Sequence, residues 1–391
     1  MAGPRPAPGN KQALTGARIV LPDGVAEGCA LLLDGTRILD IVPDAAIPAA
    51  AERVDLAGGW LLPGFIDTQV NGGGDVLFND APTVEGIRAI AAAHRRYGTT
   101  GLLPTLISDR PATVDAALAA GEAALAAHIP GVLGLHIEGP HLNPAKKGIH
   151  DATVFTPIDA DVIARLTAPT AGVRVVTIAP ELTDDATIRA LADAGVIVAA
   201  AHSMADYDRT CAAIGAGLAG FTHLFNAMTG LGSREPGMVG AALEDRATRF
   251  GLIVDGVHVH PATCRIALAA RGSDGVMLVT DAMPPVGGHA GGFTLMGQDI
   301  RVVDGTCRGP DGTLAGSALS MAQAVRNAID LMGCSIVEAS LLASGNPAAF
   351  LRMADVRGAI RPGLMADLVH WDDDRRVTAT WIAGERSDVG E

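Results

Sequence analysis

Lysine is almost missing from this chain: Lys11, Lys146 and Lys147 are the only three in 391 residues. Acidic residues outnumber basic ones, and the formal net charge is -14. That balance leaves no basic surface excess for nucleic acid or for an anionic membrane. A local arginine or histidine could still hold a small anion against the global field. Aromatic residues make up only 3% of the chain, so its core must be built from Ala, Val, Leu and Ile. Such small aliphatics suit parallel strands and the helices that cover them. The five cysteines are dispersed, odd in number and form no CxxC pair, and read as reduced core residues. No apolar run approaches about 20 residues, so no membrane span is expected. The Pro-rich start, MAGPRPAPGNK, has no apolar stretch of the signal-peptide kind, and a cytoplasmic protein with reduced thiols is expected.

What is present is an alternation. Eight apolar segments read as strands: 61–70 (LLPGFIDTQV), 98–106, 131–138, 173–180, 196–202, 220–225, 250–255 and 275–281. Ala-rich helical stretches such as 83–96, 111–127 and 184–194 fall between them. Eight β-then-α units imply a (β/α)8 barrel. A doubly wound sheet is the structural alternative, but no GxGxxG follows the first strand. Residues 13–60 and the stretch from GAIRPG to the C-terminus read instead as short strands with turns. We therefore expect a small β-sandwich domain built from both chain ends, residues 1–62 and 356–391, around a barrel of residues 63–355.

Nearly every predicted strand ends in a polar group able to bind metal or move a proton: Asp67, Gln69 and Asn71, then Glu138, His202, His223, Asp255 with His258, and Asp281. Barrel enzymes gather their reactive groups at the C-terminal ends of strands, whereas scattered core histidines have no reason to keep that phase. Glu138, His202 and His223 together supply one carboxylate and two imidazoles. This donor set suits Zn²⁺ or a similar divalent ion. His136 shares the Glu138 face of its strand but lies deeper, and reads as a core histidine. No lysine lies on a predicted strand to form a bridging carbamate, and Gln69-x-Asn71 stands where a first-strand His-x-His would support a second ion. One metal per chain is expected. Asp281, followed by Ala and a Pro-Pro loop, fits a helix cap poorly. It reads as the carboxylate that takes a proton from water and returns it to a leaving amine.

The segments LLPGFIDTQVNGGG, GLHIEGPHLNPAKKGIH, AAHS, FTHLFNAMTGLGSREPGMVGA, DGVHVHP, LVTDAMPP, GTLAGSALSM, SGNPA and GAIRPGLMADLV occur in this order across nearly the whole chain. In them the sequence resembles the N-acetylglucosamine-6-phosphate deacetylases of the amidohydrolase superfamily. HIEGPHLNPAKKGIH and THLFNAM are specific to that group; PGFID and ADLV are shared widely. The resemblance implies a metal-dependent homodimer that hydrolyses the N-acetyl group of N-acetylglucosamine 6-phosphate. Deacetylation of the galactosamine isomer, or of another N-acyl compound, is the alternative. It implies Glu138, His202 and His223 as metal ligands, Asp281 as proton acceptor and donor, and His150 beside the acetyl carbonyl. It further implies substrate contacts from Ile149, Asn226, Ala227, Arg234, His258, Leu314, Ala315 and Gly316. Arg234 would grip the 6-phosphate, in its own subunit or across the dimer. Taken singly, Arg234 reads equally well as a solvated loop arginine, and Asn226 as a turn residue after the sixth strand. The LGS before Arg234 lies in a loop whose length varies in the family, and NGGG stands where some relatives carry a cysteine.

Overall fold

The computed structural model describes residues 11–389; the Pro-rich start lies outside them. Eight parallel strands form one sheet in sequential order. We label them β1 (Phe65–Val70), β2 (Thr99–Ile107), β3 (Gly134–Glu138), β4 (Val173–Ile178), β5 (Ile197–Ala200), β6 (Gly220–Phe221), β7 (Arg249–Leu252) and β8 (Val276–Leu278). The sheet closes where the chain leaving β8 meets β1: Val70 bridges Ala282, and Asp281 N donates to Gln69 O at 3.1 Å. The result is the expected (β/α)8 barrel.

The helices begin where local chemistry caps them. Thr83 accepts from Gly86 N ahead of Val84–Arg95, and Asp184 accepts from Thr187 N ahead of Asp185–Asp193. Each such cap stabilises its helix by about 1 kcal/mol. Pro111 opens Pro111–Ala126, at a position where a missing N–H costs nothing. Close helix–strand approach relies on small residues. A Cβ on Gly121 would meet the Leu135 side chain at 2.3 Å.

The first predicted strand, 61–70, is two strands in the structure. Trp60–Pro63 joins an outer sheet and Phe65–Val70 is β1. Gly64 is the junction, and a Cβ there would lie 2.0 Å from Thr100 Oγ1. Two further sheets come from the chain ends. One orders Arg37–Pro43, Cys29–Asp34, Lys11–Thr15 and Glu52–Asp55; the other orders Glu385–Asp388, Val377–Ile382, Leu368–Trp371, Trp60–Pro63, Arg18–Leu21 and Gly24–Ala26. Leu14, Leu31, Leu33 and Ile38 of the first pack with Ile19, Leu61, Leu368 and Trp381 of the second. Each such buried side chain stabilises the layer by about 1.5–3 kcal/mol. The edge contact of Phe65 with Trp371, centroids 5.8 Å apart, joins this unit to the barrel.

One element was not read from the sequence. After β8 the chain forms an antiparallel four-stranded sheet of Gly292–Leu295, Gln298–Val303, Thr306–Arg308 and Leu314–Ser317. Leu295, Ile300 and Cys307 pack with Ile149 and Met283. This places the sheet beside the C-terminal ends of the barrel strands.

Candidate active site

Glu138 is the last residue of β3, and His202 and His223 lie just past the ends of β5 and β6. Both histidines adopt left-handed backbone, φ 49° and 35°. Such a conformation persists only where the surroundings fix it. Asn143 N donates to His202 O at 2.9 Å, and His202 Nδ1 donates to Lys146 O at 2.8 Å. A carbonyl only accepts, so the His202 proton sits on Nδ1 and Nε2 keeps its lone pair. That nitrogen lies 3.2 Å from Glu138 Oε1 and 3.1 Å from His223 Nε2, which is itself 2.9 Å from Glu138 Oε1. Three buried donor atoms thus converge, all within 4.8 Å of one another. Three atoms able to offer lone pairs thus crowd one point. A tetrahedral ion at about 2.0–2.1 Å from each would space its donors by roughly 3.3 Å. The donor set therefore fits a divalent metal. Burial opposes the Glu138 charge, but the neighbouring His202 and His223 hold its carboxyl well below the usual range. Burial likewise opposes protonation of His223, and Glu138 overrides it, so this pKa is raised.

Gln69, within β1, and Asn71, just past its end, enter the same centre as hydrogen-bond donors. Gln69 Nε2 reaches both Glu138 Oε2 and Asp281 Oδ1 at 3.0 Å, and Asn71 Nδ2 reaches Asp281 Oδ1 at 2.6 Å. Asp281 is therefore one amide away from the metal-competent cluster. Burial, then repulsion from Glu138, pushes its carboxyl up to about 6. It can ionise near neutrality yet still accept a proton.

His150 stands on the other side, its ring centroid 4.5 Å from that of His202. Ser108 N donates to His150 Nδ1 at 3.4 Å, and Ser108 Oγ lies 2.8 Å from the same nitrogen. Nδ1 is thus the acceptor and Nε2 carries the hydrogen. Burial, then the neighbouring His202, pulls the imidazole down to about 3, which keeps it neutral. His258 is fixed the opposite way: Asp255 Oδ2 lies 2.6 Å from its Nδ1, so Nε2 is left as an acceptor.

These groups line one cleft with a cavity of about 240 Å³. Glu138, His202, His223, Asp281, His150, Ile149, Asn226, Ala227, His258, Leu314 and Gly316 all border it, as the sequence reading grouped them. Ala315 lies between two lining residues but is itself buried. Arg234 does not border the cleft. It sits in an exposed loop ahead of Gly237–Glu244, and among the described residues no lysine or arginine lines the cavity. His136 lies beneath, with Nε2 2.7 Å from Thr177 Oγ1, and His141 contacts Thr156 O through Nδ1 at 2.8 Å. Both serve the frame. The sequence reading missed Ser108, Met283 and Thr313. Ser108 follows β2 directly and keeps the strand-end phase of the other reactive groups. The two others sit on a turn and beside the unforeseen sheet, and carry no such signal.

A (β/α)8 barrel with a metal-competent Glu-His-His cluster, a carboxylate of raised pKa and a neutral imidazole at its C-terminal mouth defines a metal-assisted hydrolase class. Comparison with known proteins narrows that class. The sequence pattern of the amidohydrolase family matches residues 60–386. The chain belongs to that family. It is 41% identical over 372 residues to the N-acetylgalactosamine-6-phosphate deacetylase of Shewanella sp. (strain ANA-3), covering 95% of this chain and 94% of that one. It is 38% identical over 373 residues to the N-acetylglucosamine-6-phosphate deacetylase of Homo sapiens, covering 91% and 90%. The crystal structure of N-acetylglucosamine-6-phosphate deacetylase from Pasteurella multocida superposes with a TM-score of 0.94 at 32% identity, covering 97% of this chain and 100% of that one.

Proposed function

We propose that the chain hydrolyses the N-acetyl group of N-acetylglucosamine 6-phosphate, giving glucosamine 6-phosphate and acetate. The observation that carries this reading is the convergence of Glu138, His202, His223, Asp281 and His150 on one cleft. The 41%-identical relative supports the galactosamine isomer as a second reading. Acetate release from the two 6-phosphates, compared under identical conditions, separates them.

Glu138, His202 and His223 would hold one divalent ion, with Zn²⁺ best suited to a carboxylate and two imidazoles. When bound, the ion polarises a carbonyl and lowers the pKa of water toward about 7. Asp281 accepts a proton from the attacking water. Gln69 and Asn71, both donating to its Oδ1, hold its carboxylate in place. His150 donates Nε2–H to the carbonyl oxygen as negative charge develops there. The C–O bond forms, the C–N bond breaks, and Asp281 returns its proton to the departing sugar nitrogen. His258 accepts from a sugar hydroxyl. Asn226, Ala227, Ile149 and the 314–316 segment shape the rest of the cleft.

A cation strengthens the hold on a 6-phosphate, and the lining described for the cleft holds no lysine or arginine. Leu182, Met204 and Leu231, on the loops after β4, β5 and β6, are 51%, 46% and 61% exposed. This apolar set at the barrel mouth supports a homodimer in which Arg234 of one copy reaches the cleft of the other. We take residues 63–355 as the barrel, and 1–62 with 356–391 as the small domain, residues 1–10 and 390–391 of it lying outside those described. Among the described residues no helix is long and apolar enough to cross a membrane, and we place the protein in the cytoplasm.

A further inference from the structure

The predicted fourth strand ended in no group that the sequence reading could use. The residue after its Ala-Pro, Glu181, is nevertheless the acceptor that joins three loops of the mouth. Its Oε1 accepts from Asn143 Nδ2 at 2.9 Å and from Met204 N at 2.5 Å, and its Oε2 accepts from Ser203 Oγ at 2.5 Å. Ser203 and Met204 directly follow His202. Asn143 begins the loop that holds His202 from the other side: its own N donates to His202 O, and Lys146 O three residues on fixes the His202 ring. The same loop runs on to His150, whose N donates to Lys147 O. Ser203 N extends the connection to Ala227 O in the loop after β6.

His202 is thus held at its carbonyl, at its ring and through the two residues that follow it. Glu181 ties the loop that makes the first two contacts to those two residues. We propose that Glu181 is a positioning residue: it fixes the left-handed His202 turn and the 143–150 loop in the one arrangement that aims His202 Nε2 at the metal and brings His150 to the cleft. Glu181 is half-buried and touches neither Glu138 nor His223. Its three donors come from loops after β3 and β5, so its effect is on their registry and not on the strands. Partners that orient a metal ligand typically change metal affinity by about 10–100-fold when removed.

This inference rests on the reading of Glu138, His202 and His223 as ligands, and its test separates the two. Chelator competition measures metal affinity on purified Glu181→Ala, Glu181→Gln and His202→Asn, with the melting temperature of each metal-free protein alongside. The expected result is a loss of roughly tenfold or more in Glu181→Ala, and a larger loss in His202→Asn. Glu181→Gln should stay within about threefold of the parent, because its amide oxygen still accepts from Asn143 and Met204. A residue that served stability alone would lower the melting temperature of the metal-free protein and leave affinity unchanged. That outcome overturns the proposal, as does a Glu181→Gln variant as weak as Glu181→Ala. Unchanged affinity in His202→Asn would instead sink the ligand set. If Glu181→Ala does not fold, Asn143→Ala removes one of the three bonds, and an affinity equal to the parent's would count against the proposal in the same way.

Discussion

Replacing Asp281 with Asn separates the chemistry of the site from its stability. The shape is nearly conserved, and the side-chain oxygen of the new amide can still accept from Asn71 Nδ2 and Gln69 Nε2, which reach Asp281 Oδ1 at 2.6 and 3.0 Å. What disappears is the proton acceptor. A positioned general base contributes about 10²–10⁴-fold, so kcat should fall by that factor, equivalent to about 3–5 kcal/mol of barrier. The same change should stabilise the metal-free protein. Burial and Glu138 raise the Asp281 pKa from 3.8 to about 6. An acid whose folded pKa lies above its unfolded one favours folding below pH 3.8, and loses that contribution as the pH rises through 6. Above pH 6 the buried charge therefore costs about 3 kcal/mol, and Asn removes it. The assay pairs steady-state acetate release with metal content and with urea denaturation of the metal-free protein at about pH 7.5, above the raised Asp281 pKa. We expect kcat reduced at least about 100-fold, near-parental metal content, and a higher denaturation midpoint. Activity above about a tenth of the parent's would refute proton transfer through Asp281. A lowered midpoint would refute the electrostatic account.

Other outcomes follow from the same geometry. His150→Asn should lower kcat by about 10²–10³-fold with metal content unchanged, as for the loss of one oxyanion donor; a metal-depleted variant would point to a ligand role instead. Because Asp281 must be ionised to accept a proton, kcat/KM should fall about tenfold per pH unit below an acid limb at or under about 6. The bound ion offsets the Glu138 charge and moves that limb downward. His150, held at about 3, adds no limb above about pH 4, so the loss of the acid limb in Asp281→Asn is the expected result and its persistence there would contradict the Asp281 assignment. Arg234→Ala should raise KM for the phosphorylated sugar by about 10–100-fold, the worth of a charge-assisted pair. Turnover of the unphosphorylated sugar should not change, and an equal loss on both would remove Arg234 from phosphate recognition.

The barrel was legible because strands buried on both faces are continuous apolar runs, broken at regular intervals by Ala-rich helices. The polar cluster at its C-terminal end was legible for a related reason. Glu138, His202, His223 and Asp281 stand where each apolar run stops, and an apolar core leaves few other places for such groups. The split at Gly64 was hidden, because LLPGFIDTQV is apolar through most of its length, and only the approach of Thr100 shows that the junction needs a residue without a side chain. The four-stranded insertion after β8 was hidden because its strands are of three to six residues with mixed burial. Glu181 went unread since a carboxylate after Ala-Pro looks like a solvated loop group until its three donors are seen to come from other loops. Arg234 was named from resemblance alone. Its exposed position outside the cleft shows why local pattern could not place it.

The central claim is metal-assisted release of acetate from a phosphorylated amino sugar. The most direct measurement is acetate release from N-acetylglucosamine 6-phosphate and from unphosphorylated N-acetylglucosamine, on one sample before and after chelation, with bound metal quantified in each. The account predicts activity that tracks bound metal, returns when a divalent ion is restored, and strongly favours the phosphorylated sugar. Acetate release that survives complete metal removal, or that proceeds equally on both sugars, would contradict it.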